Sequence, residues 1–253
     1  MIVSVRFVLF FSLISIHFVQ AQSDRAIVNQ PIEWFATTSN VKMTNKFAIL
    51  IDGQYRFVKN MQPMQFQIRL GGDFIINDKL SLMPVGYVFV WNPQYGDQPA
   101  TYVNNEHRIF QQAQFKHKLS RFYFQERLRT EERFLERHVA DAGGNITNEG
   151  YSNFQFRIRY RFLCNIPLNH AKVEAKTIYI HVYDEVFMSW GKSVTYHEPD
   201  QNRIFTGLGY QFNPSFSMQG GFIYQMLVKA NGAQQENNVG TALFLVYNFD
   251  LTK

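Results

Sequence analysis

Between Asn153 and Phe162 the chain reads Asn-Phe-Gln-Phe-Arg-Ile-Arg-Tyr-Arg-Phe. Asn, Gln and three Arg hold the odd positions, while Phe, Phe, Ile, Tyr and Phe hold the even ones. Successive side chains of a strand point to opposite faces, so this segment carries one apolar and one cationic face. A soluble sandwich would bury the aromatics and leave the arginines in water. A membrane barrel would turn the aromatics to lipid and the arginines to an enclosed lumen.

The same alternation recurs along the chain. A short strand with Trp34 spans Ile32 to Ser39. Next, Phe47, Ile49, Ile51, Tyr55 and Phe57 oppose Asp52, Gln54 and Arg56. Met64 to Ile76 and Leu80 to Trp91 follow, then Glu106 to Lys118 and Arg121 to Arg133 around a tight turn at Leu119-Ser120. After the opening segment, Lys172 to Trp190 changes phase midway, which predicts a β-bulge near Thr177. Gln201 to Phe212, Phe216 to Val228 and Val239 to Phe249 complete eleven recognisable strands. Gln125 to Val139 also carries Glu and Arg at helical spacing, and an amphipathic helix is the alternative there.

Connections after Asn77, Leu119, Pro167 and Asn213 are short, whereas those at 92–103, 136–149, 191–200 and 230–237 are longer. Short periplasmic turns alternating with longer extracellular loops are the pattern of an outer-membrane barrel. Bacterial single-chain barrels have even strand numbers. The expectation is therefore an all-β, antiparallel transmembrane β-barrel of twelve strands, one of them unrecognised near residues 22–30, with ten as the alternative. Short turns on one side would start the first recognised strand at the outer face.

Several segments keep period 2 well beyond the 5 or 6 residues usual in soluble strands. Apolar faces end in aromatics such as Tyr87 to Trp91 and Tyr247 to Phe249, as interfacial girdles would, and aromatics make up 16% of the chain. At the N-terminus, Arg6 precedes an apolar run from Phe7 to Val19, and Val19-Gln20-Ala21 supplies small residues ahead of Gln22. This pattern predicts a signal peptide over 1–21 and a barrel domain over 22–253. No later apolar run reaches the roughly 20 residues of a membrane helix. Integral insertion would thus require a barrel, because only helices and closed barrels satisfy their backbone in lipid. The single cysteine, Cys164, leaves no intramolecular disulfide to form. A net charge of +5 with both signs interspersed gives no basic tail for nucleic acid.

The sequence resembles domain-of-unknown-function family 2490, exported proteins of Gram-negative bacteria regarded as outer-membrane β-barrels. The matching elements are Gln54-Tyr55-Arg56-Phe57, Asn105-Glu106-His107-Arg108 with Gln111-Gln112, and Glu126-Arg127-Leu128-Arg129 with Glu132-Arg133-Phe134. They continue through Arg157-Ile158-Arg159-Tyr160, Tyr183-Asp184-Glu185-Val186-Phe187, and Gln201-Asn202-Arg203 leading to Gly207-Leu208-Gly209-Tyr210. The resemblance implies the fold and an outer-membrane location, and it brings no established activity.

The polar faces define an expected lumen charge network: Arg56, Arg69, Asp73, Glu106, Arg108, Arg127, Arg129, Glu131, Arg133, Arg157, Arg159, Arg161, Glu185 and Arg203. Asp184 is the other candidate beside Glu185. Arginine's planar fork pairs bidentately with carboxylates and stays charged. Such side chains projecting from facing walls would largely fill a modest lumen, giving an integral barrel of unknown specific activity with a narrow or occluded interior. Because Arg outnumbers acid, an anion-favouring pore is a second reading. A lipid-acting enzyme is a third, with His107 or His181 near Ser189 or Ser193. A soluble periplasmic barrel binding an anionic or lipid ligand is the non-membrane rival. His197-Glu198-Pro199-Asp200 offers metal-type ligands without a completing cluster, and no cofactor is expected. Gly71-Gly72, Gly207, Gly209 and Gly220-Gly221 lie inside strands, where they mark bulges or close packing. Expected partners are outer-membrane lipid and the barrel-assembly machinery, the latter through an aromatic last strand that Thr252-Lys253 extends.

Overall fold

The computed structural model describes residues 25–96, 102–196 and 199–252. The expected signal peptide over 1–21 lies outside the described residues, and so do His197 and Glu198. The strands in chain order are β1 (Ala26–Thr44), β2 (Phe47–Val58), β3 (Gln62–Ile75), β4 (Leu80–Trp91), β5 (Glu106–Leu119) and β6 (Phe122–Leu135). They continue with β7 (His138–Ala140), β8 (Ile146–Asn148), β9 (Asn153–Pro167), β10 (Thr177–Gly191), β11 (Gln201–Asn213), β12 (Phe216–Val228) and β13 (Gln234–Asp250). Eleven of them close a barrel in the order β1-β13-β12-β11-β10-β9-β6-β5-β4-β3-β2, while β7 and β8 form a separate hairpin.

Eleven strands replace the expected twelve or ten. The stretch near residues 22–30 supplies no extra strand, because β1 itself begins at Ala26. With every consecutive barrel pair antiparallel, an odd count leaves the first and last strands running the same way. Accordingly β1 pairs with β13 in parallel, from Ala26 opposite Gln234 to Lys42 opposite Asp250. The barrel is therefore mixed rather than wholly antiparallel.

The phase change expected at Thr177 is also corrected. Residues 168–176 form a connection, and β10 holds one unbroken period from Thr177 to Gly191. Lys172, Glu174 and Lys176 mimicked a strand because alternating polar residues can occur in a turn. This connection consequently matches residues 192–200 in length, so short and long loops do not alternate strictly. The helical alternative over Gln125 to Val139 gives way to β6 and the hairpin that follows. At the hairpin tip Asp141 accepts bonds from the Asn145 side chain and from the amides of Gly143 and Asn145. With the Asn145 side chain as the largest contributor, these donors hold its carboxyl below the ordinary range.

Alternation now has a direction in space. On β9, Arg157 and Arg159 are 7% and 5% exposed, whereas Phe154 and Tyr160 are 47% and 43% exposed. Exposed apolar residues also occur on β1 (Phe35), β2 (Ile51), β3 (Leu70), β11 (Leu208), β12 (Phe222) and β13 (Val239), giving the barrel an apolar exterior all round. Inside, the wall is divided. Ile32, Trp34, Tyr183, Phe205, Ile223 and Ala242 belong to one apolar cluster. Leu50, Met83, Val88, Val90 and Phe110 form a second. Charged side chains lie between them.

Candidate functional site

The interior charges gather where strand parity and neighbouring registers coincide. Arg127, Arg129, Glu131 and Arg133 point inward from β6, facing Arg161, Arg159, Arg157 and Gln155 of β9 across the ladder. On the other side of β9, Arg161 faces Glu185 and Arg159 faces Phe187. This register sets Arg127 beside Arg161 and Arg129 beside Arg159, while Glu131 faces Arg157 directly and reaches Arg159 diagonally.

Glu131 accepts from Arg159 Nη1 at 2.5 Å, from Arg157 Nε at 2.9 Å and also from Arg157 Nη2. Glu185 takes Arg127 Nη2 at 2.5 Å, Arg159 Nε and Nη2 at 3.0 and 2.8 Å, and Arg203 Nη1 at 3.3 Å. Arg159 thereby joins the two acids. Nearer the longer loops, Glu106 accepts from Nε and Nη2 of Arg108 at 2.6 and 2.8 Å and from the same two atoms of Arg133 at 2.5 and 3.1 Å. All three glutamates are at most 2% exposed. Each such bond is charge-assisted, and the planar guanidinium fork suits the repeated bridging.

Aromatic rings occupy the gaps. Trp34 lies between Arg56 at 3.7 Å and Arg203 at 4.4 Å, while Phe187 meets Arg159 at 4.6 Å and Phe110 meets Arg129 at 4.5 Å. Stacking of this kind holds cations by the ring face, in Arg159 and Arg203 in addition to their carboxylate bonds. Phe110 and Phe187 share parity with Arg108 and Glu185, so sequence alone offered the signal that they face inward.

Of the expected network, Arg69 is bonded to Asp52 at 3.0 Å, away from the β6–β9 group. Asp73 faces the lumen near the short-turn mouth, outside that group. Among the described residues Arg56 bonds Gln54 alone, at 3.2 Å, besides its ring contact. Asp184 points outward, where Asn202 Nδ2 donates to it at 2.6 Å. Three interior participants were not in the expected set: Asp52, which shares the polar face of β2, and Glu236 with Lys229. Glu236 pairs with Lys229 and accepts from Tyr95 Oη at 3.0 Å. Its position in a stretch read as loop hid it, because β13 begins at Gln234. Tyr95 reaches in from the 92–105 connection; burial, with Glu236 beside it, pushes its phenol well above the ordinary value.

The histidine–serine combinations are not brought together. His107 faces outward against Tyr87 Oη at 2.5 Å, whereas Ser189 faces the lumen. His181 is inward and bonded to Asn165 Oδ1 at 2.7 Å. Eight residues of one strand separate it from Ser189, roughly 26 Å at strand rise. Ser193 lies in a loop, donating to Asn153 Oδ1 at 2.7 Å.

Two cavities flank the charge group. One of about 250 Å³ opens toward the longer loops and touches Glu106, Arg108 and Tyr95. Another of about 800 Å³ opens toward the short turns. Gln54, Arg69, Arg159 and Arg203 line both, so the girdle is their common wall.

A family model described as Protein of unknown function (DUF2490) matches residues 33–237. The chain belongs to this family. The matched region runs from β1 into β13 and takes in the whole charged girdle of this DUF2490 barrel. Neither the curated proteins nor the solved structures give a match.

Proposed function

We propose that this DUF2490 protein is an integral barrel of the Gram-negative outer membrane whose lumen is shut at mid-height by its arginine–glutamate girdle. The observation that carries the reading is the reversal of ordinary burial: aromatic and aliphatic side chains ring the outside while buried Arg and Glu bond to one another within. In water that exterior would be a very large apolar patch, far beyond what soluble monomers expose. Against hydrocarbon it is the expected surface, and the closed ladder leaves no unpaired edge for lipid to meet. The short turns would face the periplasm and the longer connections the outside. Export, lipid contact and assembly through the aromatic C-terminal strand belong to the same reading.

The girdle argues against free diffusion. A solute passing from one cavity to the other would have to part Arg159 from both Glu131 and Glu185. Breaking such buried pairs is costly. This reading assigns no catalytic role, in keeping with the separation of His107 and His181 from Ser189.

Cell fractionation tests the location. Detergent should be needed for extraction, and the folded protein should migrate differently on gels before and after heating; release by osmotic shock would overturn the reading. Planar bilayers test the closure, with no discrete channels expected from the purified barrel. Regular channel steps would show that the girdle does not close the lumen.

A further inference from the structure

Two cations of the girdle, Arg129 buried and Arg161 half-buried, lack a full set of partners, and both line the larger cavity. Arg161 stands beside Arg127 across the β6–β9 ladder and opposite Glu185 on β10. Glu185, however, bonds Arg127, Arg159 and Arg203. Among the described residues Arg161 makes no hydrogen bond or ion pair, and its buried Nε is unpartnered. Its guanidinium lies 5.8 Å from the ring of Tyr183. Arg129 is 1% exposed. It gives Nε and Nη2 to Gln112 Oε1 at 3.0 and 2.5 Å, but Nη1 has no hydrogen bond and lies 3.9 Å from Glu131.

Arg129 and Arg161 are diagonal neighbours in the ladder, a relation that sets Cα atoms roughly 7–8 Å apart. Two long side chains at that spacing can converge on one anionic group. Of the acids lining the cavity, Asp52 is engaged by Arg69, Glu185 by three arginines and Asp250 by Lys42 at 3.6 Å, whereas Asp73 and Asp78, toward the short turns, have no ion pair among the described residues. Leaving buried donors and charges unmatched is costly, and an anion would relieve that cost. The rest of the cavity is not polar throughout. Tyr179, Tyr183, Leu163 and Phe244 present an apolar and aromatic wall to the same space of about 800 Å³.

From this juxtaposition we propose that the short-turn half of the lumen binds an organic anion. Its phosphate or carboxylate group sits on Arg129 and Arg161, and its apolar or aromatic body lies against Tyr179, Tyr183 and Phe244. The site requires only the barrel interior, so it stands or falls separately from membrane location and from closure of the girdle.

Calorimetric titration of the folded full-length barrel in detergent with phenyl phosphate, inorganic phosphate and phenol tests it. Phenyl phosphate should bind saturably at one site per barrel and more tightly than inorganic phosphate, and phenol should not bind. Arg161→Gln and Arg129→Gln should each weaken phenyl phosphate at least tenfold, which is about 1.4 kcal/mol. Arg161→Lys, which retains the charge, should lose less. In the unaltered protein, phenyl phosphate should shield Arg161 from phenylglyoxal, read by mass spectrometry, a result that does not depend on any variant folding. Absence of binding, equal affinity for inorganic phosphate, unchanged affinity in the double glutamine variant, or undiminished Arg161 modification at saturation would each overturn the proposal.

Discussion

Glu185 illustrates how burial changes the worth of a charge. Its carboxylate is 2% exposed and receives three arginines, whereas Glu149 in the 136–152 connection pairs with Arg137 at 3.3 Å on an exposed surface. Removing one member of a buried pair leaves uncompensated charges and costs about 3–5 kcal/mol, while an exposed pair contributes about 0–1 kcal/mol. Glu185→Gln should therefore lower the unfolding free energy by several kcal/mol and Glu149→Gln hardly at all, measured by urea unfolding in micelles. Equal effects would show that the girdle is not a bonded unit. Parity placed Arg157, Arg159 and Arg161 on one polar face from the sequence. It was silent on which acid each would meet, because diagonal reach depends on registers between strands far apart in the chain. Arg127 of β6 meeting Glu185 of β10, past the intervening β9, is an instance.

At the scale of elements, the eleven segments that kept period 2 are the eleven barrel strands, and their errors have physical sources. β1 extends from Ala26 to Thr44 although only Ile32 to Ser39 was read as strand, since Asn29, Pro31 and Asn40 blur its alternation. Pairing with β2 and β13 on its two sides supplies what local pattern lacks. Two neighbouring glycines of β12 separate packing from propensity. A Cβ on Gly221, which faces inward, would run into the backbone of Thr206 and Gly207 on β11, whereas one on Gly220 would meet only a Leu243 side-chain atom at 3.9 Å. Backbone cannot yield as a flexible side chain does, so Gly221→Ala should cost about 1–3 kcal/mol as overpacking. Gly220→Ala should be neutral or stabilise by a few tenths, up to about 1 kcal/mol. The temperature at which the folded gel band converts to the unfolded one measures both, and a larger shift for Gly220→Ala would contradict the close backbone approach of β11 at Gly221.

For the whole molecule the deciding feature is the parallel seam: period 2 marks eleven strands, and only the rule of even strand numbers argues for a twelfth. Local alternation identifies strands but holds no information on how the first meets the last. That pairing joins residues more than two hundred positions apart, as Thr37 opposite Leu245 shows. Cysteines at these two outward positions, in a Cys164→Ser background, should form a disulfide detectable as a mobility change on non-reducing gels. Thr37→Cys combined with Val246→Cys, one residue out of register and on the inner face, should not. Reversed outcomes would call for a different closure. The seam also divides the two ends of the barrel ladder: Ala26 lies at the mouth with the longer loops, and Asp250 lies at the mouth with the short turns. In an even-stranded barrel the ends meet on one side, and a few linking residues suffice for a circular permutant. Here any such linker would have to travel the height of the wall, so this barrel can be recut only by adding a twelfth crossing.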